Sequence, residues 1–232
     1  MVAPHFLFKG LILMIYLYSG TPGSGKSLHM ARVIYTVLKK SECLVICNFM
    51  INESCFTEQE LKRFIFLDNN DMIPENLVRI AEGYWSNHKA KSYKDAESRI
   101  RLFIDEAQIL FNARDWQKNY SLGWTNFFSV HRHYGFEVVL CTQIDTNLDK
   151  QVRALIETQC IHRKIENIGA GGRFVSMFFG GGLFYCVVRW YPMHEKVDGY
   201  FFTYRKKFAK IYDTHMLFNK TDNKKSIIQI GA

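Results

Sequence analysis

Residues 14–40 read MIYLYSGTPGSGKSLHMARVIYTVLKK, an apolar run, a glycine-rich turn and an amphipathic stretch in immediate succession. Between Gly20 and Ser27 the turn fits G-x-x-x-x-G-K-[ST], a pattern that needs a strand before it and a helix after it. Both flanks are present. The apolar run predicts a buried strand over Leu11–Tyr18, and Ser27–Lys40 has an apolar helical face of Leu28, Ala31, Tyr35 and Leu38. Lys39 and Lys40 then complement the negative end of the helix dipole. A triphosphate concentrates negative charge, which is best met by backbone N–H groups at close range. Gly20, Gly23 and Gly25 permit the backbone angles and the approach this requires. Gly20, Thr21, Pro22, Gly23, Ser24, Gly25, Lys26, Ser27 and Leu28 are therefore the expected nucleotide-binding residues. Lys26 would reach the β- and γ-phosphates of ATP, and the Ser27 hydroxyl would ligate Mg²⁺.

A second signal lies downstream. Ile100–Ile104 (IRLFI) is a buried-strand pattern running directly into Asp105–Glu106. Ligands of open α/β sheets sit at the carboxyl ends of strands, so this acid pair is expected to face the crevice that holds Lys26. Asp105 would hold Mg²⁺, and Glu106 would orient and deprotonate the water that attacks the γ-phosphate. Glu137–Thr142 (EVVLCT) predicts another strand, which places Gln143 at its end as a contact to the γ-phosphate or the attacking water. Arg132 and Arg153 are the arginines considered for stabilising transition-state charge from a neighbouring subunit. His131 and His133 have the wrong spacing to share a ligand on one helical face.

Other elements follow from pattern. Strands are expected at Leu44–Phe49, Phe64–Leu67 and Gln159–Ile165, and helices after Pro74, at Leu122–Tyr134 and at Asn147–Ile156. Trp124, Phe127, Phe128 and His131 form one face of the helix that ends at Gly135. Tyr84–Arg99 is polar and aperiodic, an exposed or partly helical insertion. Alternating strands and helices imply an α/β fold, a P-loop nucleotide-binding domain with a largely parallel sheet covered on both faces. Beyond residue 166 the composition shifts. Glycine-rich turns at Asn167–Arg173 and Gly180–Gly182 separate aromatic, β-branched runs at Phe174–Phe179 and Leu183–Trp190, and Gly199–Tyr204 adds another strand. The expected division is an extension at 1–13, an ATPase domain at 14–166 and a small β-rich extension with a basic tail at 167–232.

Composition bounds the rest. With 232 residues and 48% hydrophobic content, the chain has ample material for a packed core. Its six cysteines form no paired framework and several sit in apolar runs, which reads as buried thiols in a reducing cytoplasm. Phe6–Tyr18 is too short for a membrane span and carries Lys9. The formal net charge is +8, with Arg205, Lys206, Lys207, Lys210, Lys220, Lys224 and Lys225 clustered near the end against Asp213 and Asp222. Anionic lipid, DNA phosphate and plain solvent are all open as partners of that basic segment.

YSGTPGSGKS at 18–27, RLFIDEAQ at 101–108, HRHYGFEVVLCTQ at 131–143, LDKQVRALIE at 148–157, HRK at 162–164 and YDTHMLF at 212–218 together resemble the zonula occludens toxin-like family. That family includes assembly ATPases of filamentous phages and is related to the FtsK–HerA group of ring-forming motors. The resemblance implies a homo-oligomeric ring, such as a hexamer, on the cytoplasmic face of the host inner membrane. It implies extrusion of phage DNA with phage assembly and coat proteins as partners, and it gives Lys26, Ser27, Asp105, Glu106 and Gln143 the roles stated above. Family members commonly carry a membrane span after the ATPase domain, so attachment is expected through a span absent from this chain or through a partner. A DNA-translocating or packaging ATPase of the FtsK–HerA type is the alternative.

Overall fold

Strand β1 (Ile15–Ser19) is buried along its whole length, sending Ile15 and Leu17 to one face and Tyr16 and Tyr18 to the other. A strand apolar on both sides has to lie inside a sheet covered twice. The computed structural model describes residues 15–89, 98–113 and 118–212, and these form an eight-stranded sheet. Its other strands are β2 (Leu44–Cys47), β3 (Phe64–Phe66), β4 (Ile100–Ile104), β5 (Phe136–Cys141), β6 (Thr158–Lys164), β7 (Leu183–Trp190) and β8 (Glu195–Thr203). The order is β3-β2-β4-β5-β1-β6-β7-β8. Pairing is parallel from β3 to β6 and antiparallel for β7 and β8.

Helix α1 (Lys26–Lys40) covers one face. Its Met30, Ile34 and Leu38 pack with Tyr18, Val45, Phe103 and Val139. The short α2 (Glu58–Leu61) opens with a capping box, Thr57 accepting from Glu60 N and Glu60 accepting from Thr57 N. The opposite face is covered by α3 (Pro74–Asn87), α4 (Lys118–Val130) and α5 (Lys150–Ala154). Pro74 at the start of α3 fits a position whose N–H has no helical partner. Trp124, Phe127 and Phe128 of α4 meet Phe111 and Phe136 in a buried aromatic cluster. The chain then tightens into a 3-10 turn at His131–Tyr134 and stops at Gly135, whose φ of +77° suits a residue without Cβ.

Most predicted elements are present within a few residues. The predicted helical face of Trp124, Phe127, Phe128 and His131 is buried as expected. Residues 11–14 of the predicted first strand, most of the 84–99 insertion beyond Asn87, and the basic cluster past Lys210 lie outside the described residues. One element differs. Phe174–Phe179, expected to be a strand, belongs to helix α6 (Gly169–Phe178). β6, the strand it follows, already has β1 on one side and β7 on the other, so the segment cannot pair beside it. Gly172 lets the helix lie on the turn leaving β6, since a Cβ there would stand 2.2 Å from the Ile165 carbonyl oxygen. The antiparallel hairpin is instead β7–β8, turning at 191–194, and α7 (Lys206–Ala209) follows it to pack Phe208 against Tyr35 of α1.

His131 carries a pH signature. Burial holds its imidazole down, to about 4, with the Arg132 charge adding to the effect against a hydrogen bond to the Phe128 carbonyl. A depressed histidine is neutral when folded, so its contribution is complete above the unfolded value near 6.5 and is lost as pH falls towards 4. The melting temperature should therefore fall more steeply between pH 7 and pH 5 in the wild-type chain than in His131→Leu. Parallel pH profiles for the two would show that His131 titrates alike in both states.

Candidate functional site

The glycine loop leaves β1 at Ser19 and turns with Gly20, Gly23 and Gly25 at φ of +143°, +72° and +97°. Two of these glycines are pressed against other elements. A Cβ at Gly20 would stand 2.4 Å from the His162 carbonyl oxygen on β6, and one at Gly25 would stand 2.7 Å from the Phe184 ring on β7. Gly23 faces open space. Gly20 N donates to the Gln143 carbonyl at 3.2 Å and Ser24 N to the Thr21 carbonyl at 3.1 Å, so the loop is tied to the end of β5 and closed on itself. Helix α1 has Gly25 at its N-cap with no side-chain cap, and its first amide bond runs from His29 N to Gly25 O at 2.9 Å. The amides of Lys26, Ser27 and Leu28 thus precede the first helical acceptor and point out of the helix start, an arrangement that favours an anion. Lys26 is buried and donates from Nζ to the carbonyls of Gly20 (2.6 Å) and Thr21 (3.2 Å), folded back across the loop mouth. Thr21 and Pro22 are exposed at the lip.

The acid pair arrives from β4. Ile104 is in register with Leu140, and Tyr18 with Cys141, so Asp105 continues β4 at the level of the loop's root, with β5 in between. Asp105 is buried and its backbone is pinned on both sides by one side chain. Asp105 N donates to Asn48 Oδ1 at 2.8 Å, and Asn48 Nδ2 donates to the Asp105 carbonyl at 2.9 Å. Tyr212 donates its hydroxyl to Asp105 Oδ2 at 2.7 Å, and burial and the Asp105 charge push that phenol up. Burial, and then the Asp105 charge, also raise the Cys47 and Cys141 thiols, which leaves both protonated.

Glu106 occupies the left-handed region at φ +47°, ψ +47°, an uncommon conformation for a side-chain-bearing residue that turns the chain sharply at the strand end. Its carboxylate accepts from Gln108 Nε2, and Gln108 Oε1 in turn accepts from the Thr142 hydroxyl at 2.8 Å. Thr142 N donates to the Tyr18 carbonyl at 2.9 Å. A hydrogen-bonded line therefore runs from Glu106 through Gln108 and Thr142 to the strand that bears the loop.

The structure brings the phosphate loop, Asp105 and Glu106 to one end of the sheet. Gln143 is there too, but its side chain is exposed and only its carbonyl engages the loop. The two arginines are elsewhere. Arg132 sits just before β5, at the amino ends of the strands, and pairs with Glu157 just before β6. Arg153, in the last turn of α5, stands beside Tyr191, at the far end of β7. Arg132 is kept from the loop of its own chain because Gly135 reverses the chain before β5 begins. Asn48, Gln108, Thr142 and Tyr212 were not singled out from the sequence. Gln108, Thr142 and Tyr212 lie inside stretches that carry the family resemblance, whereas Asn48 is marked only by being the first polar residue after LVIC.

The donor set fits magnesium and a triphosphate. A serine hydroxyl at the start of α1 and a buried carboxylate are hard oxygen donors. Ser24 Oγ is buried in the loop with no hydrogen-bond partner among the described residues, a polar atom left for a ligand oxygen. Ser27 and Asp105 would hold the ion.

The family model described as zonular occludens toxin (Zot) matches residues 14–217. The Gene 1 protein of Enterobacteria phage I2-2 is 25% identical over 221 residues, which cover 89% of this chain and 58% of that protein. The chain thus spans little more than half the length of that relative. Among solved structures, the N-terminal domain of zonular occludens toxin from Neisseria meningitidis has a TM-score of 0.52 at 18% identity, over 88% of this chain and 100% of that one. B204, the DNA-packaging ATPase of Sulfolobus Turreted Icosahedral Virus, has a TM-score of 0.52 at 17% identity, over 79% and 95%. Likeness at these identities is a likeness of fold, and the shared fold is that of P-loop NTPases.

Gly20→Ala should abolish binding of a fluorescent ATP analogue, because the new methyl group would collide with the β6 backbone and displace the loop. Gly23→Ala meets no atoms but is strained by its positive φ, so it should weaken binding less. Equal binding by Gly20→Ala and the wild type would contradict the loop geometry.

Proposed function

The chain belongs to the zonular occludens toxin family, and from that premise we propose that it is a Mg²⁺-dependent ATPase motor that drives assembly and extrusion of filamentous phage at the host inner membrane. The observation that supports this reading is the alignment of Asp105 and Glu106, at the end of β4, with the phosphate loop at the end of β1 across a single intervening strand.

Lys26, freed from the Gly20 and Thr21 carbonyls, binds the β- and γ-phosphates, and the amides at the start of α1 orient them. Magnesium, when bound by Ser27 and Asp105, withdraws charge from the phosphate oxygens. Asn48 fixes the backbone of Asp105, so the carboxylate keeps its direction without relying on solvent. Glu106 accepts the proton of the attacking water, from its place at the left-handed turn that ends β4. Gln108 holds that carboxylate until the nucleotide arrives. The line through Thr142 to β1 gives the loop and the base a shared response to the γ-phosphate.

On this reading the chain works in a homo-oligomeric ring, with phage coat and assembly proteins and phage DNA as partners, on the cytoplasmic face of the inner membrane. Among the described residues no helix is long and apolar enough to cross a membrane.

Purified chain should hydrolyse ATP only with Mg²⁺. Lys26→Ala should lose both binding and turnover, and Glu106→Gln should bind ATP while its turnover falls by about a hundredfold or more, in line with loss of a general base. Turnover unaffected by either change would end the ATPase reading. Strong stimulation by duplex DNA would point instead to a DNA-translocating motor. In a phage-producing cell, loss of the gene should stop virion release while phage DNA accumulates.

A further inference from the structure

Directly beneath the phosphate loop, His29, His162 and Cys186 are buried together, each offering one ligand atom within 4.8 Å of the others. They come from three elements. His29 lies one turn beyond Lys26 on α1, His162 is on β6, and Cys186 is the register partner of His162 on β7. No sequence spacing announces them.

The two imidazoles present different nitrogens to the common point. His29 Nδ1 and His162 Nε2 are 2.8 Å apart, with ring planes crossing at 50° and centroids 5.1 Å apart. The remaining nitrogen of each ring is also engaged. His162 Nδ1 donates to the Ser19 carbonyl at 3.3 Å, and His29 Nε2 lies 3.2 Å from the Tyr200 hydroxyl. An outer partner on the second nitrogen is the usual companion of a metal-bound imidazole, because it fixes the tautomer and the ring direction. One thiolate and two neutral imidazoles form a donor set suited to zinc.

We propose that His29, His162 and Cys186 form a buried zinc site that fastens the phosphate-loop helix to β6 and the antiparallel hairpin. Without metal, the His29–His162 contact is a hydrogen bond. Zinc replaces its proton and opens the 2.8 Å separation to about 3.3 Å, the value for two nitrogens about 2.05 Å from a tetrahedral ion. The proton between the two imidazoles moves to His29 Nε2, where the Tyr200 oxygen accepts it and both rings stay neutral. The proton displaced from Cys186 leaves to solvent, and nothing is oxidised or reduced. Through the Ser19 carbonyl, the site fixes the residue from which the loop departs.

The test uses the full chain, produced without a polyhistidine tag and dialysed free of loose metal. Mass spectrometry of the digested protein should find about one zinc per chain, and cobalt exchange should give a thiolate-to-cobalt absorption band. Cys186→Ser should lose the ion and the band, whereas Cys55→Ser, at a half-buried thiol outside the cluster, should keep both. His29→Gln should weaken zinc binding by at least about tenfold. If Cys186→Ser fails to fold, the cobalt titration of the wild-type chain decides alone. Less than about a tenth of an equivalent of zinc bound at micromolar free zinc, without a thiolate band, overturns the proposal. So does a band that survives Cys186→Ser. Metal content is read independently of nucleotide hydrolysis, so this result and the ATPase reading can fail separately.

Discussion

At Gly20 the chain passes so close to β6 that the His162 carbonyl oxygen occupies the space a side chain would need. At Gly25 the Phe184 ring of β7 does the same. These two contacts clamp the root and the far side of the phosphate loop, and Gly20 N adds a hydrogen bond to the end of β5. Backbone amides gather around an anion only if the loop is held in a conformation that side chains would forbid. The direction of α1, the position of Lys26 and the reach of Ser27 all follow from that constraint.

The acid side is built by different means. β4 is buried and in register with β5, which fixes how far Asp105 projects. Asn48 then grips the Asp105 peptide through both its amide oxygen and its amide nitrogen. Beyond it, the left-handed Glu106 turns the chain, and Gln108 and Thr142 link the carboxylate back to the central strands. Buried polar groups need partners. Here the partners are arranged so that nearly every one touches the cleft or a strand bordering it. Tyr212 adds a contact from the far end of the described chain, so the segment after α7 is bonded to the same carboxylate.

The hairpin β7–β8 extends the sheet in the antiparallel sense, and its inner face brings Cys186, Tyr200 and Phe202 under α1. The polar cluster there is the least expected part of the interior, since two imidazoles, a thiol and a phenol share a region otherwise lined by Tyr18, Met30 and Ile34. Helix α6 sits at the nucleotide end of the same region with Phe174, Met177 and Phe178 largely exposed.

Local order was legible wherever one segment carried its own signal. The loop and helix at 20–40 announced themselves by glycine spacing and by an apolar face, and IRLFI followed by Asp105–Glu106 by a strand pattern ending in acid. Phe174–Phe179 misled because aromatic, β-branched composition favours strands only where a neighbouring strand can pair, and β6, which it follows, is flanked by β1 and β7. Asn48, Gln108 and the His29–His162–Cys186 cluster could not be read from the chain. Their partners lie as far as 57, 34 and 133 residues away, and hydrogen bonding depends on ångström distances that sequence spacing does not encode. The sequence by itself determined that this protein holds a phosphate loop and an acid pair on a twice-covered sheet, because those depend on backbone conformation and periodicity. Only the tertiary structure decided which side chains brace them, because that depends on which strands become neighbours.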